Sequence, residues 1–213
     1  KFCASTILGL KRNLETYEML AQVYLVSKRN DIKISNVVIM GIGEPLNNFD
    51  NVIKFIKILN DQNGQNISMR NITISTCGII EGINKLSNMN LPITLALSLH
   101  APNQNIRERI MPIANKYRLD KVMEAMANYF LNTKRRITFE YSLIKDINSD
   151  LSHAHELAKM FKDSFDGIRV DFNVNLIPVN EVKENGYTPP NKTMVTNFQK
   201  ILLLHLLLFL QLI

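Results

Sequence analysis

Hydrophobic positions along the chain switch repeatedly between two periods. Leu14, Tyr17, Leu20, Ala21, Tyr24 and Leu25 recur at helical spacing and predict an amphipathic helix over 14–28. Val37 to Met40 is an unbroken apolar run, the pattern of a parallel strand covered on both faces. Val52, Phe55, Ile56 and Leu59 then mark a helix over 48–59, which Asp61-Gln62-Asn63-Gly64 ends. β-rich runs follow at 72–76, 93–99, 137–144 and 170–177. Helical stretches at 80–86, 105–110, 119–131 and 153–161 separate them. This alternation predicts the α/β class with a parallel sheet, and no repeat or low-complexity linker divides it.

The strand at 37–40 runs directly into Gly41-Ile42-Gly43-Glu44-Pro45-Leu46-Asn47-Asn48. The glycines let backbone approach a ligand, and Pro45 suits the first position of a helix. A dinucleotide-binding loop would carry a third glycine where Leu46 stands, and Glu44 puts a carboxylate where a pyrophosphate would sit. A negative side chain there repels phosphate and suits an amine or a sulfonium. The turn therefore points toward a cationic ligand such as the amino-acid end of S-adenosylmethionine; a turn that only redirects the chain is the alternative.

Other strands also end in polar residues: Ser75, Ser98 with His100, and Asn180. Open α/β sheets and α/β barrels bind ligands at the carboxyl ends of their strands, so four strands deliver hydrogen-bonding groups to one rim. Each has a plainer role available. A serine there can cap a helix, His100 can sit at the edge of the core, and Asn180 can turn the chain.

Composition narrows the picture modestly. The 213 residues suffice for one domain with a sizeable core, and 46% hydrophobic with 21% charged residues is ordinary for a globular protein. A net charge of +6 and a pI near 9.3 favour an acidic or nucleic-acid partner. Lys11-Arg12, Arg107 with Arg109, Lys116 with Arg118, and Lys134-Arg135-Arg136 are candidates for a phosphate track, or for solvated faces and loops. Two cysteines, Cys3 and Cys77, make no disulfide framework, and a cytoplasmic setting is expected. The chain opens at Lys1 rather than methionine and shows no signal peptide, so it is expected to be a piece of a longer protein.

Six blocks now stand in one order. They are Phe2-Cys3-Ala4-Ser5-Thr6, the Gly41–Asn48 turn, Ile74-Ser75-Thr76-Cys77-Gly78, Ser98-Leu99-His100-Ala101-Pro102-Asn103, Met111-Pro112-Ile113, and Asn175-Leu176-Ile177-Pro178-Val179-Asn180. From Lys1 to about Leu202 the chain resembles the radical SAM RNA adenine-C2 methyltransferases, the RlmN branch of the RlmN/Cfr family. The resemblance implies a partial (β/α) barrel, a 4Fe-4S cluster and S-adenosylmethionine. It also implies 23S ribosomal RNA, and for many members transfer RNA, as substrate. No membrane is involved, and a monomer is expected.

Carried over residue by residue, Cys3 falls on the third cysteine of the family's C-x3-C-x2-C cluster motif. Gly43 and Glu44 match the pair that holds the methionine amine, in agreement with the charge argument. Ser75, Ser98, Leu99, His100 and Asn180 match further S-adenosylmethionine contacts, and Cys77 reads as a small strand-end residue.

The departures lie at the two ends. The first two cluster cysteines and the family's N-terminal helical domain would precede Lys1. Neither catalytic cysteine of the family has a counterpart, so no catalytic residue is assigned and the chain as given is expected to lack turnover. Residues 1–200 are expected to form the barrel core, and 201–213 an aberrant apolar tail, too short and interrupted for a membrane span. Two rival readings stay open. One is another radical SAM enzyme such as a glycyl-radical activase; the other is a non-catalytic RNA- or phosphate-binding α/β domain.

Overall fold

The computed structural model describes residues 9–181 and 186–210, without the side chains of 208–210. Its centre is one all-parallel sheet of β1 (Val37–Ile39), β2 (Ile72–Thr76), β3 (Thr94–Ser98), β4 (Ile137–Leu143) and β5 (Phe172–Pro178), in that spatial order. Helix α1 (Thr16–Asn30) precedes the sheet, and α2 (Phe49–Asn60) and α3 (Ile80–Met89) flank β2. The pair α4 (Gln104–Ile110) and α5 (Leu119–Thr133) links β3 to β4; α6 (Leu151–Ser164) leads to β5, and α7 (Lys192–Leu210) follows it. Parallel strands laid down in sequential order by right-handed crossovers put every connecting helix on the same side of the sheet. A sheet covered on one side curves away from that cover, which gives a partial (β/α) barrel, as expected.

Alternation along the strands divides the two faces. Phe139 packs on Phe161 of α6 with ring centroids 4.8 Å apart, and Tyr141 on Phe198 of α7 at 5.5 Å. These rings, with the fully buried Ile72, Ile74, Leu95 and Leu97, form the helix-side core. Their alternating neighbours Ser75, Ser98, Glu140, Ser142 and Asn175 face the inner side, which is polar. Ser98 pairs with Glu140, and Glu140 with Asn175, so these three side chains stand in one row. A smaller apolar cluster of Ala101, Ile106, Ile110, Met111, Ile144 and Val179 closes the region beyond the ends of β3, β4 and β5.

Two expectations are corrected. Among the described strands β1 is at the edge of the sheet and is not covered on both faces, with Val38 and Met40 56% and 55% exposed. The stripe on α1 is not a buried face either. Met19 is its one buried apolar residue, Leu20 and Val23 are half-buried, and Tyr17 and Leu25 are exposed. Periodicity marks a face that can be covered, and here the cover is α2 alone, met through the Thr16 hydroxyl and Asn51 at 3.1 Å.

The domain boundary expected at 200 falls inside α7, which runs on unbroken to Leu210. Leu202 is buried and Ile201 and Leu206 pack on the core, while Leu203, Leu204 and Leu207 face solvent. A helix apolar on all sides buries whichever side meets the sheet and exposes the rest. Among the described residues no helix is long and apolar enough to cross a membrane.

Candidate functional site

The glycine turn after β1 is shaped by backbone that only glycine adopts readily. Gly43 has φ +92°, and among the described residues nothing lies within 4 Å of where a side chain would begin. Pro45 starts a 3-10 turn over Pro45–Asn48 that feeds α2, and the Glu44 Oε1 accepts from the Leu46 amide at 3.0 Å. Leu46, the residue standing in for the third glycine, is buried against Gly82 of α3. A Cβ on Gly82 would lie 2.7 Å from that of Leu46, so α3 carries a glycine where the turn docks.

Glu44 also joins two strands. Its Oε2 accepts from the Cys77 amide at 2.7 Å, which ties the turn after β1 to the end of β2. A carboxylate has about four lone-pair sites and two are used here, so an ammonium can still be accepted. Burial, and then the nearby Glu44 charge, push the Cys77 thiol well above the ordinary thiol range. Both effects favour the neutral thiol over the thiolate.

The end of β3 is organised by a residue that sequence reading placed on the surface. Arg107 of α4, a candidate for the phosphate track, is 0% exposed. Its guanidinium donates to the carbonyls of Cys77 (2.8 Å), Ser98 (3.3 Å) and Leu99 (3.3 Å), clamping the ends of β2 and β3 together. Its Nη1 is buried without a hydrogen-bond partner, and burial lowers its pKa to about 10. Next to it, Thr76 Oγ1 accepts from the Gly78 amide at 3.1 Å and so starts the turn into α3.

His100 is anchored at the corner between β3 and β4. It is buried with φ +57°, and its Nδ1 accepts from the Ser142 amide at 2.9 Å. Its carbonyl accepts from Asn148 Nδ2 at 2.7 Å, and the amides of Leu99 and His100 both donate to the Glu140 carbonyl. Burial, helped by the Arg107 charge, lowers the imidazole pKa to about 3, so the ring is neutral. Asn148 is fully buried and bonds to His100, Ser142 and Ile144, which makes it the hub of this corner.

Of the predicted site residues, Gly43, Glu44, Ser75 and Ser98 therefore gather at the carboxyl ends of β1 to β3. Leu99 and His100 lie in the same place but are buried, with their amides held by β4. Asn180 is exposed beyond β5, past the Val179 amide that bonds to the Leu143 carbonyl. Cys3 lies outside the described residues, so the candidate metal ligand has no described geometry.

The basic clusters do not assemble into one track. Arg107 is internal, and Arg12, Arg118 and Arg136 pair with Glu18, Asp120 and Asp171 at 2.6, 3.1 and 2.9 Å. Lys134-Arg135-Arg136 precede β4 and so sit at the amino end of the sheet, opposite the rim.

Fold and rim together define a partial (β/α) barrel with polar groups gathered at its strand ends. The chain belongs to the radical SAM superfamily, whose family model matches residues 1–175. A "probable dual-specificity RNA methyltransferase RlmN" of Clostridium novyi is 49% identical over 205 residues, 96% of this chain and 58% of that protein. A protein of the same description from Clostridium botulinum (strain Eklund 17B / Type B) is 50% identical over 203 residues, 95% of this chain and 56% of its own length. The chain thus spans little more than half the length of these curated relatives.

Among solved structures, a radical SAM methyltransferase from Sphaerobacter thermophilus matches with a TM-score of 0.89 and 35% identity. That match covers 96% of this chain and 59% of the other. A domain of a pyruvate-formate lyase-activating enzyme from Bacteroides vulgatus matches at TM-score 0.56 and 15% identity, over 81% of this chain and 95% of that one. At that identity it shares the fold alone.

Proposed function

We propose that this chain is the cofactor-binding core of an RlmN-type enzyme that methylates carbon 2 of adenine in RNA, with 23S ribosomal RNA and transfer RNA as substrates. The observation that carries the reading is Glu44: a half-buried carboxylate in a glycine turn, at a strand end, that ties two strands together through the Leu46 and Cys77 amides and keeps acceptor capacity for a cation. Curated relatives near 50% identity that are described as RNA methyltransferases support the substrate class.

Bound S-adenosylmethionine would supply both the methyl group and the radical chemistry that carbon 2 of adenine, itself no nucleophile, requires. Gly43 and Glu44 would hold the methionine amine, with Ser75, Ser98 and the Leu99–His100 segment beside it and Asn180 at the far end. Arg107 and Asn148 keep those strand ends fixed. A 4Fe-4S cluster belongs to the same proposal through Cys3; among the described residues no group of three or more histidine, cysteine or acidic side chains could hold a metal ion. Cytoplasmic residence, consistent with two cysteines in 213 residues, and a monomeric state complete the reading.

Calorimetric titration with S-adenosylmethionine tests it. Glu44→Gln should weaken binding by roughly 1.5–3 kcal/mol, the range for a hydrogen bond to a charged group. Unchanged affinity would reduce Glu44 to a turn residue and remove the support for the cofactor.

A further inference from the structure

Two exposed histidines meet across the seam between α6 and α7, and the cofactor reading involves neither. His155 Nδ1 and His205 Nε2 lie 2.9 Å apart, with the rings edge to face at 79° and their centroids 4.9 Å apart. The two residues are 50 positions apart in the chain, so only the packing of the helices brings them together. That packing is firm on its inner side: Ala154, Leu157, Ala158 and Phe161 of α6 are buried, as are Phe198 and Leu202 of α7. His155 follows Ala154 and His205 stands one turn beyond Leu202, so anchored helices carry both imidazoles while the rings stay in water.

Facing imidazole nitrogens at this distance share one proton, one ring donating and the other accepting. A metal ion can take the place of that proton. With metal–nitrogen bonds of about 2.0–2.1 Å, two imidazoles at right angles on one ion have nitrogens about 2.9 Å apart, and at the tetrahedral angle about 3.3 Å apart. The observed separation fits the right-angled case. Imidazole ligands in that geometry, with water in the other positions, suit Ni²⁺ and Cu²⁺. Among the described residues no third histidine, cysteine or acidic side chain joins the pair, which leaves those positions to water. Lys159, one turn along α6 from His155, pairs with Asp163, and Glu156 accepts from Asn103 at 2.6 Å, so the neighbouring charges are already engaged. Leu202 is the last buried side chain of α7 among the described residues, and Leu203, Leu204 and Leu207 face solvent. A tie at His205 therefore lies just past the final apolar anchor of the helix.

We propose that His155 and His205 are the two protein ligands of a divalent transition-metal site, of the Ni²⁺ or Cu²⁺ kind, which staples the outer turns of α7 to α6. The whole chain is titrated calorimetrically with Ni²⁺ as wild type, His155→Asn and His205→Asn, and its thermal unfolding is followed with and without the ion. His153→Asn is the control, because His153 accepts from the Asp150 amide at 3.2 Å and takes no part in the pair. Each seam substitution should weaken Ni²⁺ binding at least about tenfold, and the control should stay within about twofold of wild type. Saturating Ni²⁺ should raise the thermal midpoint of wild type and control, and of neither seam variant. Both seam histidines are exposed, so their replacement removes no buried contact. Ni²⁺ binding that survives both substitutions lies elsewhere on the chain and overturns the proposal. A wild type that binds no Ni²⁺, or whose midpoint the ion leaves unmoved, overturns it as well.

Discussion

The two sides of the rim are built on opposite principles. At the ends of β3 and β4 nearly every described polar group already has an internal partner: Arg107 holds three carbonyls, His100 holds the Ser142 amide, and Asn148 bonds to three residues. At the end of β1 the turn is open, the strand is an edge, and Glu44 keeps acceptor capacity after its two amide bonds. The closed side supplies rigidity and the open side supplies a vacancy for a ligand. A residue that fits a binding motif can therefore belong to either, and only its hydrogen-bond partners tell which.

The comparison breaks most severely at Arg107. Arg107→Met should leave three buried carbonyls without a donor and cost on the order of 3–5 kcal/mol in denaturant unfolding. A cost under about 1 kcal/mol would mean that water replaces the guanidinium and the closed side is not closed.

His100 gives a smaller, pH-dependent effect. Its folded pKa is about 3 and the unfolded value near 6.5, so the unfolded chain takes up the extra proton between those limits. Stability from this group is complete above pH 6.5 and falls as the pH drops toward 3. At pH 5 the loss should be about 2 kcal/mol, and His100→Asn, which tolerates the left-handed backbone, should flatten that slope. Thermal unfolding across pH 7 to 4 checks it, and parallel slopes for the two proteins would rule it out. On the open side, Val38→Thr should shift stability by less than about 0.5 kcal/mol, because the side chain is already exposed and threonine suits a strand. A loss of several times that amount would show β1 to be covered in solution.

Much of the sheet was legible in the sequence. The run at 72–76 coincides with β2, and those at 93–99, 137–144 and 170–177 contain β3, β4 and β5 or overlap them closely, because β-branched and aromatic residues recur at alternate positions along them. The Glu44 turn was legible for a different reason: a carboxylate in a glycine loop contradicts phosphate binding. What escaped was burial and partnership. Arg107 looked like a surface cation because composition cannot show that α4 turns it inward under β2 and β3. Asn148 carries no signal in the sequence, and the three partners of its side chain come from strands and loops that only the fold brings together. Thr76 sits in an obvious strand, and its cap on the next turn depends on one hydroxyl. The α1 stripe failed in the reverse direction, since apolar spacing says nothing of what lies opposite.

The sequential strand order bears on how the molecule is made. Each strand pairs with the one synthesised just before it, so a ribosome delivers the sheet in the order in which it can assemble, one strand–helix unit docking on the last. No strand waits for a partner from the far end of the chain, which keeps loop closure short at each step. Among the described strands, Val37–Ile39 meets Ile72–Thr76 only after α2 has been made between them, so that pairing closes over a helix already finished.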